Sequence, residues 1–75
     1  MPESLGEYRV GVTFNPSGDK AVSDIKRACA DVIDYINLIT GDGEVQRLKA
    51  LAMTHIEDGA MWAVKAATKK GRDTE

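Results

Sequence analysis

The sequence predicts an all-α protein: an antiparallel two-helix hairpin with a short N-terminal arm, assembling into a homo-oligomer. Three observations carry that expectation. Apolar residues recur at helical spacing over 17–39 and again over 44–69; Thr40-Gly41-Asp42-Gly43 breaks the pattern between them; and the second segment holds more apolar surface than one partner helix covers. The 75 residues read as a single helical-hairpin domain with arm 1–16, helix one 17–39, helix two 44–69 and tail 70–75.

The arm reads as non-helical. Tyr8, Val10 and Val12 alternate against Arg9, Gly11 and Thr13, a strand-like pattern too short and glycine-broken to stand alone, so the arm must pack on something else. Asn15-Pro16-Ser17 then supplies a cap and a proline for a first helical turn, with Ser17 an equal candidate for the cap and Asp19 near the positive end of the dipole. In helix one Val22, Ile25, Cys29, Val32, Ile33, Ile36 and Ile39 face a core, while Lys20, Asp24, Arg27, Asp31 and Asp34 face water. Gly41 suits a left-handed end for that helix, and Asp42 caps the next, so a short turn makes the helices antiparallel neighbours. Leu48, Ala52, Ile56, Ala63 and Ala66 form one stripe of helix two, and Leu51, Met53, Ala60, Val64 and Ala67 spread to its other faces. Two helices alone bury too little to offset a chain entropy of roughly 1 to 2 kcal/mol per residue, and the many alanines permit close approach of further helices. The last residues, from Lys69, read as a frayed polar tail.

Composition narrows the function. One cysteine makes no internal disulfide, and neither Cys29 nor His55 belongs to a zinc-like cluster. No apolar run reaches the length of a membrane span and the first residues lack the pattern of a signal peptide, so the protein reads as intracellular. A net charge of -2 and a pI near 5.3 oppose a partner such as long DNA or RNA, which calls for a broad basic face. A small anion, needing two or three local cations, remains compatible.

Within helix one, Val22, Lys26, Cys29 and Ile33 stand in one line, so a cation interrupts an apolar stripe. Position alone favours a snorkelling Lys26, its stem on Val22 and Ile33 and its ammonium in water; the functional reading is a phosphate contact. Tyr8 and Arg9 are ordinarily a packed aromatic and a solvated charge. Together with Lys26, however, they provide a stacking ring and phosphate-binding cations, which a nucleotide requires. The Asn15 to Asp19 turn offers amides to an anion, although an ordinary cap explains it. No serine, cysteine or second histidine is spaced to pair with His55 as nucleophile and base, so no catalytic residue is expected and His55 reads as a partly buried structural residue. Met53, Met61 and Trp62 are explained by core or interface packing without a cofactor, and the aspartates of helix one by a solvated face without a metal.

Tyr8-Arg9, Ile25-Lys26 and the run from Arg47 to Ala67, with its ending Ala60-Met61-Trp62-Ala63-Val64-Lys65-Ala66-Ala67, resemble the helical-hairpin domain shared by two phage counter-defence proteins. These are the second type of anti-CBASS sponge and the larger anti-Thoeris sponge. The resemblance covers roughly Tyr8 to Lys69, and the compact length suits the anti-CBASS member.

It implies a hexamer of hairpins in the host bacterial cytoplasm that sequesters cyclic oligonucleotide second messengers without cleaving them, and so starves the effector of a bacterial immune system. By the same resemblance Tyr8 stacks on a base of a cyclic dinucleotide such as cyclic GMP-AMP and Lys26 reaches its phosphate, in pockets built between protomers. Cyclic trinucleotides bind such proteins at a separate site through an arginine of helix two. Lys65 stands at the matching place here, keeping the charge and losing the bidentate fork. The residues alone stop at a small oligomeric helical protein that can bind an anion. An adaptor whose helix faces bind a protein partner is the rival from another class, and a small nucleic-acid regulator is disfavoured by the net charge.

Overall fold

A computed structural model describes residues 3–16 and 18–70, the last of these without its side chain. Its elements are α1 (Leu5–Val10), α2 (Lys20–Asn37) and α3 (Gly43–Lys70), and no strand occurs among the described residues. The hairpin of the sequence analysis is α2 and α3. The arm differs from expectation, because residues 5–10 are helical.

Local chemistry explains α1. Ser4 Oγ accepts from the Glu7 N–H at 3.1 Å while the Ser4 N–H donates to Glu7 Oε1 at 2.9 Å, a reciprocal capping box. Gly11 ends the helix at φ +65°, where a side chain would be strained, and the Val12 N–H returns to the Glu7 carbonyl at 3.1 Å. Two strong stop and start signals thus override a weak alternation of Tyr8, Val10 and Val12.

The start of α2 also moves. Asp19 is its cap, accepting from the Ala21 N–H at 2.8 Å, so Asn15 lies outside the helix and Asn15 Nδ2 instead donates to the Asp19 carbonyl at 3.1 Å. Ser17, the other expected cap, lies outside the described residues. At its far end α2 stops at Leu38, a right-handed cap, and not at Gly41; among the described residues only Gly11 and Gly18 take a positive φ. Lys49 of α3 does the closing, donating from Nζ to the carbonyls of Asn37 at 3.1 Å and Ile39 at 2.5 Å. Asp42 caps α3 as expected, accepting from the Val45 N–H at 3.1 Å. Lys69 and Lys70, expected to fray, still belong to α3, and the rest of the expected tail lies outside the described residues.

The three helices lie in a slab whose Cα extents are 49 × 32 × 12 Å, the thickness of one helix layer. A single layer has little interior. The buried apolar residues are Val22, Ala30, Ile33, Met53 and Ala60, with Lys26 buried among them. Val32 and Ile39, assigned to the core from periodicity, are 44% and 47% exposed, and Leu48 of the expected α3 stripe is 50% exposed. The packed stripe of α3 is centred on Met53 and Ala60, with Ile56 half-buried, and Trp62 and Met61 are open to solvent. His55 is exposed, not partly buried, because it projects from α3 away from Met53 and Ala60.

α1 packs mainly along α2, through Gly6. A Cβ on Gly6 would overlap the Ala30 carbonyl oxygen and stand 2.8 Å from Asp34 Oδ1, so only glycine allows the helices to approach this closely. The Gly6 N–H donates to Asp34 Oδ1 at 2.6 Å. Beside it Arg27 bridges Glu7 at 2.9 Å and Asp31 at 2.8 Å.

Candidate functional site

The arm and α3 enclose an open cleft of about 450 Å³. Arg9, Val10 and Lys26 line one side; Thr54, Glu57, Asp58, Ala60, Met61 and Val64 of α3 line the other. The polar and apolar halves of the α3 wall follow from helical spacing, since 54, 57, 61 and 64 succeed one another on one face.

Both cations in the cleft are engaged. Arg9 Nε donates to Glu57 Oε1 at 2.9 Å and Nη2 to Thr54 Oγ1 at 3.2 Å, joining the arm to α3. Lys26 Nζ donates to the carbonyl of Gly11 at 3.0 Å and to that of Phe14, and lies 5.3 Å from the centre of the Phe14 ring. The residue is 8% exposed, and its ammonium turns to the two backbone carbonyls. Snorkelling is therefore overturned: the lysine in the apolar stripe reaches the carbonyl of Gly11, the cap of α1, which also accepts the Phe14 N–H at 3.0 Å, and the carbonyl of Phe14 in the loop beyond. An ammonium has three N–H donors, and two go to these carbonyls.

The structure brings Arg9 and Lys26 into one cleft and leaves the other two expected ligand-binding residues outside its lining. Tyr8 neighbours Arg9 on α1 and is 74% exposed, with its ring free to stack. Lys65 is exposed on α3, its Nζ 5.4 Å from the centre of the Trp62 ring. Three residues of the cleft were missed by the sequence analysis. Thr54, Glu57 and Asp58 sit in a stretch whose only flagged polar side chain was His55, and the signal that would have found Thr54 and Glu57 is their i, i+3 spacing on the face that also carries Met61 and Val64. Phe14, 71% exposed, was missed beside the Asn-Pro break.

The carboxylates that dock the arm are tuned to stay charged. The Ser4 N–H, then the Arg27 guanidinium, holds Glu7 below the usual carboxylate range, and the Ser4 hydroxyl followed by the Gly6 N–H lowers Asp34. Among the described residues no group of histidines, cysteines and carboxylates is arranged to hold a metal, and no helix is long and apolar enough to cross a membrane.

No individual curated protein and no solved structure matches the chain. A family model, Acb2/Tad1, hairpin domain, matches residues 7–68. That span takes in Arg9, the Lys26 loop, all of α2, α3 as far as Thr68 and the whole α3 wall of the cleft. The chain belongs to the Acb2/Tad1 hairpin-domain family.

Proposed function

We propose that the protein is a phage immune-evasion sponge, which binds cyclic dinucleotide messengers of bacterial CBASS defence and withholds them without cleavage. The match of the Acb2/Tad1 hairpin domain over residues 7–68 carries this reading. Arg9 and Lys26 converging on one cleft support it, since a phosphodiester needs cations and an enclosed wall. Tyr8 supplies the stacking ring at the cleft's edge, and Lys65 on the Trp62 face serves a separate cyclic trinucleotide site.

Assembly belongs to the same proposal. Tyr35, Leu38, Leu51, Met61 and Trp62 are all between 45% and 74% exposed, more apolar surface than a lone slab of this size ordinarily leaves in water. A homo-oligomer, taken to be a hexamer by likeness to the family, covers these faces and completes pockets between protomers in the host cytoplasm.

Calorimetry with cyclic GMP-AMP, other cyclic dinucleotides and cyclic trinucleotides tests the reading. Tight binding is expected, with the ligand recovered intact after the protein is heated. Recovered linear nucleotide would make this an enzyme, and no binding to any member of the panel would leave an adaptor for a protein partner as the better account.

A further inference from the structure

Arg9 divides its donors into two sets. Nε and Nη2 form the side edge of the guanidinium, and that edge is taken by Glu57 Oε1 at 2.9 Å and Thr54 Oγ1 at 3.2 Å. The outer edge, with the N–H groups of Nη1 and the remaining one of Nη2, has no partner among the described residues. A planar group pinned at two of its nitrogens keeps neither its roll nor its direction free.

We infer that Glu57 and Thr54 are positioning residues: they fix Arg9 by its side edge so that its outer edge stands as a ready fork for one phosphate of the ligand. The inference rests on the sponge reading above. Glu57 and Thr54 are one turn apart on α3, and both line the cleft that Arg9 lines. The Arg9 side chain is 22% exposed and that of Glu57 43%, so the pair is partly shielded while the cleft stays open. A carboxylate on the side edge does not compete for the outer edge; it holds in place a long side chain that would otherwise lose rotamer freedom when the ligand arrives. Lys26 cannot do the same work, because two of its donors turn inward to Gly11 and Phe14.

Nuclear magnetic resonance of the arginine Nε–H groups, joined to ligand titration, tests this. In the free protein the Arg9 Nε–H should be protected from exchange, remain so in Glu57→Gln, which keeps the acceptor, and lose protection in Glu57→Ala. Cyclic GMP-AMP should bind Thr54→Val and Glu57→Ala about tenfold more weakly and Glu57→Gln within about threefold of wild type, the scale of one hydrogen bond to a charged group. Circular dichroism and sedimentation should match wild type in all three. An unprotected wild-type Arg9 Nε–H overturns the inference whether or not ligand binds, and so does wild-type or tighter binding by Glu57→Ala, the latter making Glu57 a competitor. Wild-type protein that protects Arg9 yet binds no cyclic oligonucleotide sinks the sponge reading instead. Inorganic pyrophosphate then judges the fork alone: displaced Arg9 Nη signals support it, and unmoved ones overturn it.

Discussion

Lys26 and Lys49 each reach back from one helix to carbonyls that end the helix before it. Lys26 of α2 donates to Gly11 and Phe14 beyond α1, and Lys49 of α3 donates to Asn37, the last residue of α2, and to Ile39 beyond it. Their surroundings differ. Lys26 is buried under the Phe14 ring, whereas the bonds of Lys49 are exposed. At the hairpin turn, water can replace the lysine at either carbonyl. In the arm the bonds are partly buried and water replaces them less readily, so the same contact that merely trims one helix end becomes at the other the tie that holds a loop in place.

The comparison breaks most visibly at Lys26→Met. Methionine keeps the stem but takes the ammonium from both carbonyls, leaving Gly11 only the Phe14 N–H, and we expect a loss of roughly 2 to 3 kcal/mol in chemical denaturation, with faster amide exchange over 11–16. The proposed binding of cyclic GMP-AMP should fall as well, since Lys26 joins the loop to the cleft wall. An unchanged denaturation midpoint would mean that the buried charge costs as much as its bonds return.

Gly6→Ala attacks the other end of the arm. Its methyl would meet the Ala30 backbone, which has no rotamer with which to yield, so α1 should lift from α2 at a cost of roughly 1 to 3 kcal/mol. Limited proteolysis near residues 4–12 with an intact α2–α3 hairpin is the expected signature; resistance equal to wild type would show that the backbones slide apart without releasing the arm.

Acid should reach the arm before the hairpin turn. Glu7 and Asp34 both sit below their ordinary values in the folded chain, so the stability they add is complete above the unfolded carboxylate range near 4 and is lost as pH falls through the lower folded values. Amide exchange of α1 should therefore rise in that window; at the hairpin turn the Arg47 guanidinium lowers Glu44 as well, but this one exposed pair joins neighbouring turns of α3 and docks no element, so exchange there should rise less. The smallest effect belongs to Lys49→Met, expected at or below about 0.5 kcal/mol by thermal denaturation, because solvent takes over the exposed carbonyls. A loss equal to that of Lys26→Met would erase the distinction between the two lysines.

How legible the molecule was in its sequence also divides along this line. The two long helices follow from apolar periodicity, and Asp42 from its place before the second of them, because these signals act within a few residues. The helix of the arm escaped notice because Ser4, Glu7 and Gly11 act together as cap and stop while Tyr8, Val10 and Val12 suggest alternation. Lys26 was visible as an anomaly, and its partners were not: backbone carbonyls 15 and 12 residues away carry no side-chain signature. Arg9 was singled out without Glu57, which stands 48 residues later and meets it only after the hairpin has turned.

The 12 Å thickness of the slab has a calorimetric consequence. A chain with five buried apolar residues among those described exposes little new apolar surface when it unfolds alone, so its heat-capacity increment and denaturant slope should fall below the norm for its length. In the proposed homo-oligomer, apolar faces covered between chains would add to both quantities on dissociative unfolding. Any excess over the single-chain value would then measure, in square ångströms, how much of each protomer the proposed assembly hides, and a value with no excess would mark a lone chain.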